Sequence, residues 1–541
     1  MKYLPFILLF TSLSVFSQKY TRQDTLRGAI TPERAWWDLT HYDLSVDVDP
    51  DAKLILGTNI ITYTVLEEGM EELQIDLQSP MEITLATQDG ISLKIRSEGD
   101  AHFIKLKKKQ YQGDNNQLIV GFEGKPRVAK KAPWDGGFTW SKDNAGRPFI
   151  ATANQGIGAS VWWPNKDHNY DEVDSLDMHV TVPKELVDVS NGRLVGIDST
   201  AISKTYHWTV KNPINSYGVN LNIGNYIRFS QTYQGEKGPL DMDFWVIKEN
   251  EEKAKEQFKQ APLMMEAFEH WFGPYPFYED SYKLVEAPYL GMEHQSSVTY
   301  GNKYQNGYLG RDLSGTGWGL KFDFIIIHES GHEWFANNIT SKDVADLWIH
   351  ESFTNYSESL FLDYHYGKEA ATEYVIGTRK NIQNDEPIIG TYDVRKTGSG
   401  GDMYYKGGNL LHMLRMITQD DELWRSTLRG LNAEFCHETV TTKQIENYLS
   451  LHLGRNLKYV FNQYLRSTKI PVLEYQKSKN KVSFRYINAV RNFDMPIQLL
   501  INGERQWVSP TTQWKTFKAD GKIKTIKIAN DFYVDLKKIN P

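Results

Sequence analysis

Apolar and polar residues alternate along most of the first half of the chain. From about Asp38 to Phe229, short alternating runs such as HYDLSVDV (41–48) and NIITYTVLEE (59–68) are separated by Gly, Asp and Asn turns. Such alternation places one side of each strand in a core and the other in solvent. The pattern predicts a β-rich N-terminal domain over residues 18–245.

The spacing becomes helical after Trp245. In residues 251–272 apolar side chains recur every three or four positions, and GPYPF (273–277) then ends the predicted helix. A mainly helical middle domain is therefore predicted over residues 246–470. Its later helices are predicted at 322–338, 349–366 and 407–418.

Alternation returns beyond Pro471, in KVSFRYI, PIQLLI and KTIKIA. These short runs predict a small β-sandwich over residues 471–541. The chain as a whole is thus predicted to be a multidomain α+β protein.

The N-terminal residues are typical of an export signal. Lys2 is followed by an apolar run, Leu4–Phe16, and by the small residue Ser17. This run is shorter than the ~20 apolar residues that a membrane-spanning helix needs. We therefore predict a signal peptide over residues 1–17 and a periplasmic or secreted protein. No cysteine follows the run for lipid attachment, and no stable membrane insertion is expected after cleavage.

Charge and cysteine usage narrow the possibilities further. The 541 residues carry a net charge of −7, and the basic residues are dispersed, so a nucleic-acid partner is not expected. Cys436 is the sole cysteine, which excludes internal disulfides. Stability must come from the core, from a metal, or from both.

The candidate chemistry begins at HESGH, residues 328–332. Residues four apart lie on one face of a helix, so His328 and His332 can both direct an imidazole nitrogen at one ion, with Glu329 beside it. Copper or nickel could bind such a pair, but the motif favours zinc.

A third ligand is predicted further along the chain, from a second helix. Glu351 lies in LWIHESFTNYSES, which is expected to form the next helix after the two histidines. Two histidines and a carboxylate would hold a single Zn²⁺ and leave one position for a water. Glu329 could then accept the proton of the attacking water as general base. Seven residues beyond Glu351, Glu358 could orient a histidine, or could equally be a solvated charge.

This combination, with Glu351 at its interval after His332, resembles the gluzincin aminopeptidases, peptidase family M1, which include aminopeptidase N and leukotriene hydrolase. Three other segments support the resemblance: YLGMEHQ (289–295) is similar to the family's GxMEN signature, MYYKGG (403–408) to its Tyr-x-Lys-Gly segment, and ANQGIGASVWWPNKD (153–167) to an active-site loop. The resemblance implies an N-terminal β-saddle domain, a thermolysin-like catalytic domain and a small C-terminal β domain.

The resemblance also implies residue roles and an activity. Tyr404 would stabilise the oxyanion, and Glu293 with Gln155 would bind the free α-ammonium group of a peptide, beside Gly291 and Met292 in the substrate site. The protein is thus expected to be a secreted zinc aminopeptidase. Simpler alternatives remain: a surface carboxylate for Glu293, a loop amide for Gln155 and a packed core tyrosine for Tyr404.

The sequence departs from the family pattern at three positions. Leu290 and His294 replace the Gly and Asn that bound the signature, and Glu333 follows His332 where a Gln is usual. The sequence therefore does not predict which first residue of a peptide substrate is preferred. No large C-terminal helical domain follows, so we expect a more open cleft, which efficient cleavage of only di- and tripeptides would contradict.

Three other functions are weighed against the aminopeptidase. They are an epoxide hydrolase of the leukotriene type, a zinc endopeptidase and a non-catalytic peptide-binding module. An endopeptidase would not need Glu293, because it does not bind a free amino end. A non-catalytic peptide-binding module would not need an intact set of catalytic residues. The oligomeric state is left open. Core packing rather than substrate contact is expected for Trp334, Phe335, Trp348 and Phe353.

Overall fold

The computed structural model describes residues 20–395 and 401–540. The predicted export signal, residues 1–17, lies outside the described residues. The N-terminal region contains two short helices, α1 (Arg22–Gly28) and α2 (Pro32–Ala35), and fifteen strands. The strands are β1 (Trp37–Asp49), β2 (Leu54–Val65), β3 (Glu72–Asp76), β4 (Glu82–Gln88), β5 (Ile91–Ser92), β6 (Lys94–Glu98), β7 (Ala101–Lys105), β8 (Asn115–Gly124), β9 (Gly137–Lys142), β10 (Pro148–Ala153), β11 (Ser175–Pro183), β12 (Val187–Val189), β13 (Arg193–Ser199), β14 (Ser203–Val210) and β15 (Asn222–Gly224).

Alternation along these strands decides which side faces the core. The largest sheet has eight strands in the order β13-β14-β11-β1-β2-β8-β4-β5, with β1 and β11 parallel. In β11, Leu176, Met178 and Val180 are buried, whereas the residues between them face outward. Two smaller sheets, β12-β15-β10-β9 and β3-β7-β6, close the other side of this core.

The middle region combines a mixed sheet with helices. Its elements are β16 (Tyr226–Gly235), β17 (Gly238–Ile247), α3 (Glu251–Gln257), α4 (Gln260–Phe272), β18 (Tyr282–Glu286), β19 (Gly291–Met292), β20 (Val298–Tyr300), α5 (Phe324–Gly331), β21 (Ile339–Ser341), α6 (Trp348–Tyr366), α7 (Lys368–Gly377), α8 (Asp402–Thr418), α9 (Asp421–Glu434), β22 (Glu438–Val440), α10 (Thr442–His452) and α11 (Lys458–Leu465). The sheet order is β16-β17-β18-β20-β19, so β19 is an edge strand. The predicted domain boundary at 245/246 falls inside β17 and stays a prediction.

Two predicted helices differ from the observed ones. Residues 251–272 form α3 and α4 rather than one helix, because Pro262 has no N–H to donate and its ring would clash with the carbonyl of Phe258. The helix predicted at 322–338 ends as α5 at Gly331. It is followed by a wide turn, Glu333–Asn337, in which Ala336 has a φ of 149°.

The C-terminal region packs on the helices of the middle region. Its strands are β23 (Val472–Lys477), β24 (Lys481–Ile487), β25 (Ile497–Ile501), β26 (Glu504–Val508), β27 (Lys515–Lys518), β28 (Ile526–Ile528) and β29 (Asp535–Lys538), in sheets β27-β24-β23-β29 and β26-β25-β28. Arg379 donates to the backbone carbonyls of Asn530 and Asp531 at 2.5 and 2.7 Å, and both regions share one hydrophobic core. The predicted multidomain α+β fold class is confirmed.

Two observations concern the surface, and one concerns the core. Cys436 is exposed, and no helix within residues 20–395 and 401–540 is long and apolar enough to cross a bilayer. The four aromatic residues expected in the core are buried: Trp334, Phe335, Trp348 and Phe353.

Candidate active site

Helix α5 places the two histidines of HESGH beneath a cleft. The side chain of Asp323 caps its N-terminus by accepting hydrogen bonds from the backbone N–H groups of Ile325 and Ile326 at 3.1 and 3.4 Å. Every residue of α5 is buried. His328 lies in its last turn and His332 immediately follows it, so both side chains face the same side.

Each histidine uses its Nδ1 atom for a hydrogen bond within the protein. Nδ1 of His328 lies 2.8 Å from Oε1 of Glu358, and the other carboxylate oxygen, Oε2, accepts a hydrogen bond from the Tyr374 hydroxyl. Nδ1 of His332 lies 3.0 Å from the backbone carbonyl of Phe335, in the wide turn after α5. These contacts fix the ring orientations and leave both Nε2 atoms for a ligand.

Glu351, in the first turn of α6, faces both Nε2 atoms. Its Oε2 lies 3.7 Å from Nε2 of His328 and 3.5 Å from Nε2 of His332. Ligand atoms around a tetrahedral ion at about 2.0–2.2 Å are about 3.3–3.6 Å apart, so this spacing fits zinc. Oε2 of Glu351 is buried and has no hydrogen-bond partner in the protein, which is costly unless a cation binds there.

The charges around this point favour a cation. Burial opposes the ionisation of Glu351, but the facing imidazole of His332 lowers the pKa of its carboxyl well below the usual range. Burial likewise opposes a charge on His328, but the neighbouring carboxylates of Glu351 and Glu358 raise its pKa above the usual value. Two histidines and three carboxylates (Glu293, Glu329 and Glu351) thus surround a site for one positive ion.

Glu329 lies beside these ligands and against the edge strand β19. Burial raises the pKa of its carboxyl to about 7, although the imidazole of His328 opposes the shift. A Cβ atom at Gly291 would lie 2.7 Å from Cγ2 of Ile325 and 3.0 Å from Oε1 of Glu329. Glycine at this position therefore lets the edge strand approach the carboxylate.

Tyr404 enters the site because helices α6 and α8 pack closely. A Cβ atom at Gly407 would lie 1.8 Å from Oγ of Ser352, so a larger residue would force the helices apart. The Tyr404 ring stacks on His328, with centroids 6.0 Å apart and an angle of 29°. Burial, and then the charge of Glu351, hold the pKa of the Tyr404 hydroxyl above its usual range.

The N-terminal region contributes Gln155 from the loop after β10. Its amide nitrogen donates to Oε1 of Glu293 at 2.6 Å and to Oε1 of Glu351 at 2.9 Å. The loop turns at Gly156 and Gly158, whose φ angles are 75° and 92°, conformations that glycine adopts without strain. Gln155 therefore joins the carboxylate of a candidate metal ligand to that of Glu293.

The three departures from the family pattern have separate locations. Leu290 lines the cleft. His294 is fully buried, and burial lowers its pKa to about 3, so it is neutral. Glu333 accepts hydrogen bonds from the Ser296 backbone N–H and the Tyr275 hydroxyl at 2.9 and 3.1 Å. His294 and Glu333 thus support the segment around Glu293 from behind and do not line the cavity.

All nine site residues predicted from the sequence line one cavity of about 340 Å³: Gln155, Gly291, Met292, Glu293, His328, Glu329, His332, Glu351 and Tyr404. Sequence reasoning missed Trp134, Tyr308 and Phe324, which form its apolar walls. Only Phe324, one turn before His328, carried a local signal. Trp134 and Leu290 also border a second cavity of about 660 Å³, so the cleft continues past them.

Comparison with known families assigns this part of the chain. Residues 257–464, which include both histidines, Glu351 and Tyr404, match the family model described as "Peptidase family M1 domain". The chain carries a peptidase family M1 domain. The predicted family resemblance is thereby confirmed.

Curated relatives of this chain extend the similarity beyond that domain. "Probable aminopeptidase 1" of Sulfurisphaera tokodaii is 20% identical over 88% of this chain and 61% of its own length. "Leukotriene A-4 hydrolase" of Xenopus laevis is 22% identical over 77% of this chain and 68% of its own length. The chain thus spans about three fifths to two thirds of the length of these relatives.

Solved M1 structures share the fold. The M1 zinc metallopeptidase of Deinococcus radiodurans, in a variant bound to a Tyr-Ser-Ala substrate, superposes with a TM-score of 0.67 and 20% identity. The match covers 81% of this chain and 96% of that one. The same protein without substitution gives a TM-score of 0.66. The arrangement of the regions around the cleft is therefore that of a known M1 fold.

Proposed function

We propose that this chain is an exported zinc aminopeptidase that removes residues one at a time from the free amino ends of peptides. The link between Glu293 and Glu351 through the Gln155 amide carries this proposal. It holds a buried carboxylate, suited to an ammonium group, at a fixed position beside a metal ligand. An amino end bound there would present its first peptide bond to the metal.

The amide nitrogen of Gln155 faces the two carboxylates, so its carbonyl oxygen remains as an acceptor. A free α-ammonium group has three N–H donors. Glu293 and the Gln155 carbonyl could each accept one of them. An acetylated end has lost the charge and two of the donors, and would leave Glu293 buried without a cation.

His328, His332 and Glu351 would hold the zinc. When bound, zinc polarises the scissile carbonyl and lowers the pKa of a water at the site. Glu329 lies next to these ligands and against the edge strand, where it can take a proton from the attacking water and pass it to the leaving amine. The hydroxyl of Tyr404 would donate a hydrogen bond to the carbonyl oxygen as that oxygen gains negative charge.

The experiment that tests this function compares aminoacyl amides with free amino ends against the same compounds with acetylated ends. Each is assayed before metal removal, after chelation and after zinc is restored. Cleavage of free-ended substrates alone, lost on chelation and regained with zinc, is the expected result. Including dipeptides, tripeptides and longer peptides also tests the open cleft, for which longer peptides should be cut at least as well.

Other outcomes would contradict the proposal in distinct ways. Equal cleavage of capped substrates would remove the role of Glu293 and indicate an endopeptidase. Absence of hydrolysis by fully zinc-loaded protein would favour an epoxide hydrolase or a peptide-binding module. Glu293→Gln is the matched variant, because it keeps the shape of the side chain and removes the charge that the ammonium group requires.

Export is tested separately. Cleavage after Ser17 would leave Gln18 as the first residue of the mature protein. N-terminal sequencing of protein recovered outside the cytoplasm should therefore begin at Gln18. An intact N-terminus on protein retained inside the cell would contradict export and would leave the aminopeptidase proposal standing.

A further inference from the structure

A second pair of histidines lies on the outward face of the eight-stranded sheet. His179 of β11 and His207 of β14 are directly opposite in the antiparallel register, and their Nδ1 atoms are 2.7 Å apart. Their side chains are 33% and 25% exposed. Neither residue belongs to the cavity described above.

Each of these histidines also has a carboxylate beside its other nitrogen. Nε2 of His207 lies 3.1 Å from an oxygen of Asp198 on β13, and Nε2 of His179 lies 3.3 Å from an oxygen of Asp43 on β1. A carboxylate that accepts the Nε2–H proton fixes the tautomer and the orientation of a metal-binding imidazole. Four neighbouring strands thus contribute a carboxylate–histidine–histidine–carboxylate row.

The two Nδ1 atoms are close enough to share one proton or one metal ion. If both Nε2 atoms hold protons and face carboxylates, both neutral rings have bare Nδ1 lone pairs, which repel each other at so short a separation. A neutral ring with its proton on Nδ1 could instead donate one N–H···N bond to the other ring, but it would then lose its own Nε2–H contact to a carboxylate. One metal ion would use both lone pairs and would keep both Nε2–H contacts to Asp43 and Asp198.

The spacing also selects the kind of metal. Two nitrogen ligands at about 2.0 Å are about 2.8–2.9 Å apart when they bind at a right angle, and about 3.3 Å apart in a tetrahedron. The observed distance of 2.7 Å between the two Nδ1 atoms is close to the right-angle value. That geometry suits ions with tetragonal coordination, Cu²⁺ above all and then Ni²⁺, whose remaining positions water would fill.

The neighbours on this face are already paired among themselves. The hydroxyls of Thr181 and Thr205 are 2.8 Å apart, and Asp177 accepts a hydrogen bond from the Thr209 hydroxyl at 2.7 Å. His41 contacts the Ser175 hydroxyl at 2.8 Å through Nδ1. These contacts leave the His179/His207 pair as the point on this face where two imidazole nitrogens converge.

We propose that His179 and His207 form a surface site for one divalent copper or nickel ion, separate from the zinc site. Asp43 and Asp198 orient the two rings and hold their Nε2 protons. Because the ligands come from β11 and β14, and their carboxylates from β1 and β13, a bound ion would tie these four strands together.

The test titrates zinc-loaded protein with Cu²⁺ and follows the Cu²⁺ electron paramagnetic resonance spectrum, while zinc content is measured in parallel. We expect one copper equivalent to bind without zinc release, with a tetragonal spectrum showing coupling to two nitrogens. His179→Gln and His207→Gln should each weaken this binding by about tenfold or more. His41→Gln, on the same face, is the matched control and should bind copper like the wild type.

Three results would overturn the proposal. They are copper uptake matched by equal zinc release, copper binding that survives both glutamine substitutions, and no copper binding, which would mean that a proton alone joins the pair. Thermal unfolding of each variant in the absence of copper should match that of the wild type. This comparison separates loss of a ligand from loss of the fold.

Discussion

The two histidine pairs have similar contacts at one nitrogen of each ring but lie in different surroundings. In each pair, every imidazole has one nitrogen beside an oxygen acceptor. The other two nitrogens face Glu351 in the buried pair and face each other in the surface pair. His328 and His332 are four residues apart on a helix and are 5% and 1% exposed. His179 and His207 are brought together by strand pairing and remain about one quarter to one third exposed.

The buried pair also has two features that the surface pair lacks. Glu351 lies where it would supply a third ligand, and Glu329 and Tyr404 line the same cavity, where they could act on a bound substrate. Electrostatic interactions are stronger in a site from which water is excluded. The comparison therefore predicts that substitutions at the helical pair have large effects on rate and metal affinity, and that substitutions at the strand pair have small ones.

The largest effect is expected for Glu329→Gln. Removing a general base typically lowers kcat by about 10²- to 10⁴-fold, and the amide cannot accept the proton. We expect this loss in steady-state hydrolysis of an aminoacyl amide, with zinc content unchanged because Glu329 is not one of the three proposed ligands. A kcat within tenfold of the wild type would assign the base elsewhere.

A smaller loss is expected for Tyr404→Phe. Loss of one donor to a developing oxyanion typically costs about 10²- to 10³-fold in kcat. The substitution keeps the ring that stacks on His328, so substrate and zinc binding should change little. Tyr405→Phe is the matched control on the same helix. Equal effects of the two substitutions on kcat would contradict the role of Tyr404.

Glu358→Gln tests the acceptor behind His328. Such partners typically contribute about 10- to 100-fold to metal affinity, so zinc should be lost at a correspondingly lower chelator concentration. Competition with a chromophoric chelator measures this directly. Glu369→Gln, at an exposed position, is the control. Wild-type zinc affinity in Glu358→Gln would show that the contact between Glu358 and Nδ1 of His328 does not strengthen zinc binding.

Local spacing explains why the buried pair could be predicted from the sequence. A four-residue interval fixes which side chains share a helix face, and a strong apolar run marked the helix itself. Glu358 could be proposed from its interval to Glu351, but the sequence left a solvated charge equally open. The carbonyl of Phe335 could not be proposed, because it depends on a wide turn with an unusual φ at Ala336.

Contacts between distant segments were beyond this reasoning. Gln155 was assigned by resemblance alone, and its position between Glu293 and Glu351 depends on packing between the N-terminal and middle regions. The division of residues 251–272 into two helices follows from Pro262. The prediction of a single helix considered only the spacing of apolar residues and not this proline. The pairing of His179 with His207 depends on the register of β11 and β14, and no characteristic spacing in the sequence indicates that register.

The smallest effect is expected for Asp198→Asn, the counterpart of Glu358→Gln at the surface pair. Asp198 lies 3.1 Å from His207 but its side chain is 84% exposed, so water screens its charge and can replace it as an acceptor. Copper affinity in the proposed site should therefore fall by less than about tenfold, measured by the same titration. Peptidase kcat should not change. A loss as large as that of zinc in Glu358→Gln would mean that burial does not set the strength of these carboxylate–histidine contacts, and that the geometry common to both pairs does.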